Sequence, residues 1–153
     1  MKRAFTLVEL IIIVCILGII AAVVVPSLAN YATDARESTA KDHLRTLRTF
    51  IEIYASNNEG TAPGYPGNDK GQTPTAVVFT AQMTSAGSIA RVIKFPENPF
   101  NGKTAVKIIP NGAGFPAGPS ETNTYGWVYQ PSTKTIRLNW IGSDSDGVSY
   151  FNY

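Results

Sequence analysis

The chain has 153 residues, 44% of them hydrophobic and only 16% charged, with 13 Lys and Arg against 11 Asp and Glu. That length holds one ordinary domain, and so low a charge density excludes a disordered polypeptide. A net charge of +2 is too small to neutralise a phosphate backbone, so no nucleic acid partner is expected. One cysteine closes no internal disulfide and one histidine makes no histidine metal cluster, and composition points to an interaction protein rather than an enzyme.

From Leu10 to Ala29 no residue is charged, and Ser27 carries the only hydroxyl. Twenty helical residues span roughly 30 Å, the thickness of a bilayer's hydrocarbon core. Lys2 and Arg3 precede this run and the mixed charges from Asp34 come after it, so the positive-inside rule predicts a cytoplasmic N-terminus with the remainder across the membrane. The rival is a cleaved secretory signal peptide, with Leu28-Ala29-Asn30-Tyr31-Ala32 as a weak cleavage site. The residues beyond Asn30 argue against it, because the helical period continues through them. Ala40, Leu44, Leu47, Ile51 and Tyr54 form a heptad-like apolar seam, while Arg36, Glu37, Lys41, Asp42, Arg45 and Arg48 fill the other faces. Glu37 and Lys41 have the favourable (i, i+4) order for a pair. Asn57-Asn58-Glu59-Gly60 is the first stop, where Gly60 can take a left-handed cap. The pattern predicts one helix from Phe5 to Asn57, its first half suited to lipid and its second to a globular head.

The head reads as α+β: the long helix packed on a small antiparallel sheet of about three strands. Thr61 to Pro74 is a loop punctuated by Pro and Gly. Thr73-Pro74 suggests the start of a short helix near residues 74–85, with Val77, Ala81 and Met83 or Thr84 inward. Thr104–Ile109, Tyr125–Gln130 and Thr135–Asn139 are the expected strands, the last two joined by the Pro131–Lys134 turn. Alternation puts Trp127 and Tyr129 on one face and Val128 on the other. The aromatics of the C-terminal third (Tyr125, Trp127, Tyr129, Trp140, Tyr150, Phe151, Tyr153) are expected in the core.

Individual residues carry further expectations. Asp144 and Asp146 beside Gly147 form an acidic turn that is either solvated or part of a calcium loop, although Gly142 stands where an EF-hand has its first Asp. His43 reads as a surface or subunit-contact residue, and Cys15 as a small apolar residue of the membrane run. Gly18 and Pro26 are ordinary in membrane helices, yet Pro26 removes one backbone hydrogen bond, and Ile19, Ile20, Val23, Val24 and Val25 between them are poor helix formers. A kink and a segment that unwinds on packing are both open there.

Lys2-Arg3-Ala4-Phe5-Thr6-Leu7-Val8-Glu9-Leu10 resembles the class III signal and N-methylation site of the type IV pilin superfamily, which includes type IV pilins and the pseudopilins of type II secretion. The resemblance implies cleavage between Ala4 and Phe5 and methylation of the new Phe5 amine by a prepilin peptidase/methyltransferase. Glu9 matches the acidic residue at the fifth position of the mature chain, and Gly18 and Pro26 match a Gly and a Pro of the family helix. Ala4 departs from the usual Gly. The head is similar to that of the major pseudopilin, since no cysteine pair closes a C-terminal loop. Implied domains are a leader (1–4), a transmembrane half-helix (5–29) and an extracytoplasmic head (30–153).

A carboxylate at the bilayer centre costs about 2.5–3.5 kcal/mol on insertion scales. Glu9 is shallower, where a helix dipole favours negative charge, and it could merely rest among headgroups. If Phe5 is the first residue after the cut, its amine supplies a cation at matching depth, and Glu9 of one subunit can pair with the amine of the next. The expected function is thus a structural subunit of a helical filament anchored in the bacterial inner membrane, a pseudopilin of type II secretion. Its implied partners are further copies of the chain, minor pseudopilins, an inner-membrane assembly platform and a secretion ATPase. The alternatives are a type IV pilin or minor pilin serving adhesion, motility or DNA uptake, and a membrane-anchored binding module that never polymerises. No cofactor is expected, calcium at Asp144 and Asp146 being the exception the turn allows.

Overall fold

One helix, α1 (Leu7–Asn57), takes up the first third of the chain. The structure is a computed structural model that describes residues 6–85 and 94–153 and, for residues 25–30, the backbone only. The chain divides into two compact units, one ending at Arg36 and the other running from Glu37 to Tyr153. In the first unit every described side chain from Thr6 to Val24 is exposed. Leu7–Val24 is long and apolar enough to cross a membrane, judged by length and composition. α1 runs through Pro26 without interruption, and a Cβ at Gly18 would meet nothing within 4 Å.

In the second unit the seam of α1 is buried at each expected position, Ala40, Leu44, Leu47, Ile51 and Tyr54. The helix ends where Glu59 and Gly60 turn left-handed (φ +54° and +77°) and the Gly60 N–H donates to the Ala55 carbonyl at 2.8 Å. Glycine suits the second position because a side chain there is strained at that φ. After the loop comes α2 (Ala76–Thr84), whose N-cap is Thr75: its hydroxyl accepts from the Val78 N–H at 3.3 Å. Pro74 therefore precedes the cap instead of opening the first turn. The inner face is Phe79 and Met83, both fully buried, whereas Val77 is 80% exposed. Phe79 takes the core position because its ring reaches Tyr129 (ring centroids 4.3 Å apart) and meets Phe95 edge-on at 5.7 Å.

Three short strands complete the head: β1 (Val106–Ile108), β2 (Trp127–Gln130) and β3 (Thr135–Leu138), in the order β1-β2-β3. β2 and β3 pair antiparallel, from Trp127 opposite Leu138 to Gln130 opposite Thr135, across a turn in which Lys134 is left-handed. β1 and β2 pair parallel, Val106 opposite Trp127, so the sheet is mixed and not wholly antiparallel as expected. The long connection over residues 109–126 returns the chain to the end of the sheet from which β1 started, which a tight hairpin cannot do. Its last residue, Gly126, lies so close to the preceding segment that an added Cβ would sit 2.1 Å from the Lys103 carbonyl oxygen. Fully buried Asn98 fastens this crossing, donating to the Gly126 carbonyl at 2.9 Å and accepting from the Phe100 N–H at 2.9 Å.

Trp127 and Tyr129 face the α1 seam in the main core with Phe79, Met83, Phe95, Ile136, Leu138 and Tyr150. Val128 faces the other way, into a smaller cluster with Ile109 and Phe151. The aromatics are core residues for the most part: Trp127, Tyr129, Tyr150 and Phe151 are buried. The Tyr129 hydroxyl has no hydrogen-bond partner among the described residues, and burial holds its proton well above the usual phenol range.

Candidate functional site

The first residue described, Thr6, caps α1. Its backbone N–H and its hydroxyl both donate to Glu9 Oε2 at 2.9 Å, and the Glu9 N–H points back to the Thr6 hydroxyl at 3.3 Å. This reciprocal capping box satisfies donors that a helix start leaves open. Thr-x-x-Glu before an apolar run is its signature, legible at Thr6-Leu7-Val8-Glu9 and overlooked when Glu9 is read for charge alone. Both Thr6 donors meet at one carboxylate oxygen, and among the described residues none engages Oε1. Glu9 is thus held at the helix entrance with one oxygen directed elsewhere. Ala4 and Phe5 lie outside the described residues, as does the side chain of Pro26. Gly18 stands on the exposed apolar surface with nothing packed on it among the described residues.

The acidic turn lies at the other end of the chain. Asp144 Oδ1 accepts from the backbone N–H groups of Val148 (2.8 Å) and Asp146 (3.1 Å), and Oδ2 accepts from the Tyr153 hydroxyl (2.9 Å) with the Lys41 ammonium 3.5 Å away. Burial raises the Asp144 pKa, but the Val148 N–H, the Tyr153 hydroxyl, the Asp146 N–H and Lys41 outweigh it, holding this carboxyl below the usual carboxylate range. Among the described residues no three His, Cys, Asp or Glu side chains stand together as a metal site. Asn139, next to the turn, is fully buried and engages backbone instead: Oδ1 accepts from Ser120 N–H at 3.0 Å, and Nδ2 donates to the Ser120 and Tyr125 carbonyls at 2.8 and 2.9 Å.

Helix α1 supplies a row of polar anchors for the C-terminal segment, made of residues that spacing alone assigns to a solvated face. Glu37 accepts from the Tyr150 hydroxyl at 2.8 Å, and Lys41 faces Asp144. Arg48 donates to the Ile136 carbonyl at 3.2 Å and to the Tyr153 carbonyl. Glu37 and Lys41, which their spacing would join to each other, each take a partner more than a hundred residues away. His43 Nδ1 lies 3.1 Å from the Glu97 carbonyl, with its ring 6.5 Å from that of Trp127, a packing role inside the head.

Comparison with characterised proteins gives relatives of two kinds. The chain is 33% identical over 70 residues to type II secretion system core protein G of Pseudomonas aeruginosa, a match covering 46% of each chain. It is 30% identical over 101 residues to type IV major fimbrial protein FimA of Dichelobacter nodosus, covering 63% of this chain and 64% of the relative. It is 37% identical over 58 residues to type IV major pilin protein PilA of Myxococcus xanthus, covering 38% of this chain and 26% of the relative. The match thus spans less than two thirds of each of these relatives. No protein-family model matches the chain, and no solved structure matches it at a significant level. Both kinds of relative agree with what the residues around Glu9 resemble, and the exposed apolar helix start with a small helix-and-sheet head agrees with it too: the chain is similar to type IV pilins and to type II secretion core proteins, the two branches of the type IV pilin superfamily.

Proposed function

We propose that this protein is a structural subunit of a helical filament, a pseudopilin of type II secretion anchored in the bacterial inner membrane. The observation that carries the proposal is the wholly exposed apolar surface of Leu7–Val24, which nothing among the described residues covers. A monomer leaves it to lipid, and a filament of many copies gives it helix neighbours. Relatives named type II secretion system core protein G support the secretion reading. In this proposal residues 1–4 are a leader, a prepilin peptidase/methyltransferase cuts between Ala4 and Phe5 and methylates Phe5, and the head lies outside the cytoplasm. Glu9, its Oε1 turned from its own cap, takes the Phe5 amine of a neighbouring copy, which sets subunit register. An inner-membrane platform and a secretion ATPase drive assembly, with minor pseudopilins as further partners. Gly18 and Pro26 mark the stretch able to unwind as the helices pack.

The test is made on the membrane-extracted chain. Mass spectrometry should begin at N-methylated Phe5, and Glu9→Leu as sole copy should be processed and inserted yet absent from cross-linked filament, with secretion lost. A chain beginning at Met1 or near Asn30, or wild-type filament from Glu9→Leu, overturns the proposal. Relatives named as type IV major pilins favour a second reading, a surface pilus for adhesion, motility or DNA uptake. Loss of surface fibres with secretion intact, on deleting the chain, would select it.

A further inference from the structure

The loop from Gly142 to Ser149 closes on itself: the Asp144 N–H donates to the Val148 carbonyl at 3.0 Å, the Gly147 N–H donates to the Asp144 carbonyl at 3.0 Å, and Ser143 bridges Ser149. The Asp144 side chain lies inside that closure, only 4% exposed, and a buried carboxylate needs a counter-charge. Two occupants could supply it, a divalent cation or a cationic side chain. Calcium requires about six to eight oxygen ligands. Here Asp144 spends one oxygen on two backbone N–H groups and the other on a phenol hydroxyl, with an ammonium beside it, and donors of that kind occupy the lone pairs a metal would use. An ion bound to Oδ2 would also stand close to the charge of Lys41, and like charges at that separation repel. The donor set does not fit a calcium cage.

Lys41 fits the place. Its ammonium lies 3.5 Å from Asp144 Oδ2 and 4.4 Å from the centre of the Tyr153 ring, so one cation faces both the carboxylate and the aromatic face of the segment beyond the loop. The Tyr153 hydroxyl in turn donates to the same Oδ2. Glu37 and Arg48 flank Lys41 along α1 at spacings of four and seven residues, which put all three on one side of the helix, and both hold the same segment. We infer that Lys41 is the resident cation of the C-terminal loop, closing it around Asp144 and docking it on α1 where a metal-dependent loop would carry a divalent ion. The loop then keeps its form without metal.

The experiment uses the full chain in detergent micelles and follows amide hydrogen exchange, with EDTA or with excess calcium chloride. For wild type, the Asp146 and Val148 amides should exchange at the same rate in both. Lys41→Met keeps the apolar stem and removes the charge, and it should speed exchange at these two amides about three- to tenfold while Trp127–Gln130 is unchanged. Lys41→Arg, which restores a cation, should recover most of the protection. Calcium that slows these amides in wild type, EDTA that speeds them, or wild-type exchange in Lys41→Met overturns the inference. So does equal acceleration through Trp127–Gln130, which would make the lysine a general support of the fold.

Discussion

At the entrance of α1 the Glu9 carboxylate caps the helix, and the proposed function gives it a second task that can be separated chemically from the first. Accepting from the Thr6 N–H and hydroxyl requires only an oxygen, whereas attracting the amine of a neighbouring copy requires a negative charge. Glu9→Gln keeps an oxygen for the cap and loses the charge. Thr6→Ala keeps the charge and loses the hydroxyl, at a cost of about 0.5–2 kcal/mol in helix-end stability. Under the proposed function, Thr6→Ala should yield filament at close to wild-type levels and Glu9→Gln should yield little, both read by cross-linking in the membrane. The reverse order would assign Glu9 to the cap alone.

At the scale of the element, α1 follows two rules along its length. From Leu10 to Val24 it is apolar on all sides and exposed, and its second half buries a seam and leaves the other faces polar. Leu47, fully buried in that seam with Trp127, Tyr129, Ile136 and Leu138 in the same core, should be costly to truncate. Leu47→Ala should destabilise the head by about 2–5 kcal/mol, combining lost transfer energy with the cavity left behind. Val77→Ala on the outer face of α2 should change stability by less than about 0.5 kcal/mol. Denaturant unfolding followed by tryptophan fluorescence would measure both. A comparable loss for Val77→Ala would mean that α2 packs as the sequence pattern suggested, with Val77 inward.

For the whole molecule, acid should release the C-terminal segment before the core fails. Hydrogen bonds hold the Asp144 carboxyl below the usual range and Lys94 does the same for Glu97, so in both the ionised form is the one the fold favours. Stabilisation of this kind is complete above the unfolded pKa, near ~4, and disappears as pH falls through the lower folded value. Melting temperature should therefore be level from about pH 7 to 5 and drop below about pH 4. Asp144→Asn should melt lower than wild type at pH 6 and show a shallower acid slope, because Asn keeps an acceptor for the backbone donors and has no proton to gain. Equal slopes in the two proteins would show that Asp144 does not carry the acid sensitivity.

Local pattern alone determined the long helix, its passage from membrane-compatible to amphipathic, the Gly60 stop, the β2–β3 turn and the alternation of Trp127, Val128 and Tyr129. Each depends on neighbours within a turn or two, so spacing and residue type suffice. The capping box was equally local and could have been read at Thr6-x-x-Glu9. Tertiary structure decided the parallel pairing of β1, since a strand three residues long carries no sign of its direction. It decided the inward choice of Phe79 over Val77, since a helix of nine residues does not say which side chain its core has room for. It also decided the fate of Glu37, Lys41, Arg48 and Asp144. Charges on a helix face read as solvated until a segment a hundred residues later is laid against them, and no sequence spacing encodes that encounter.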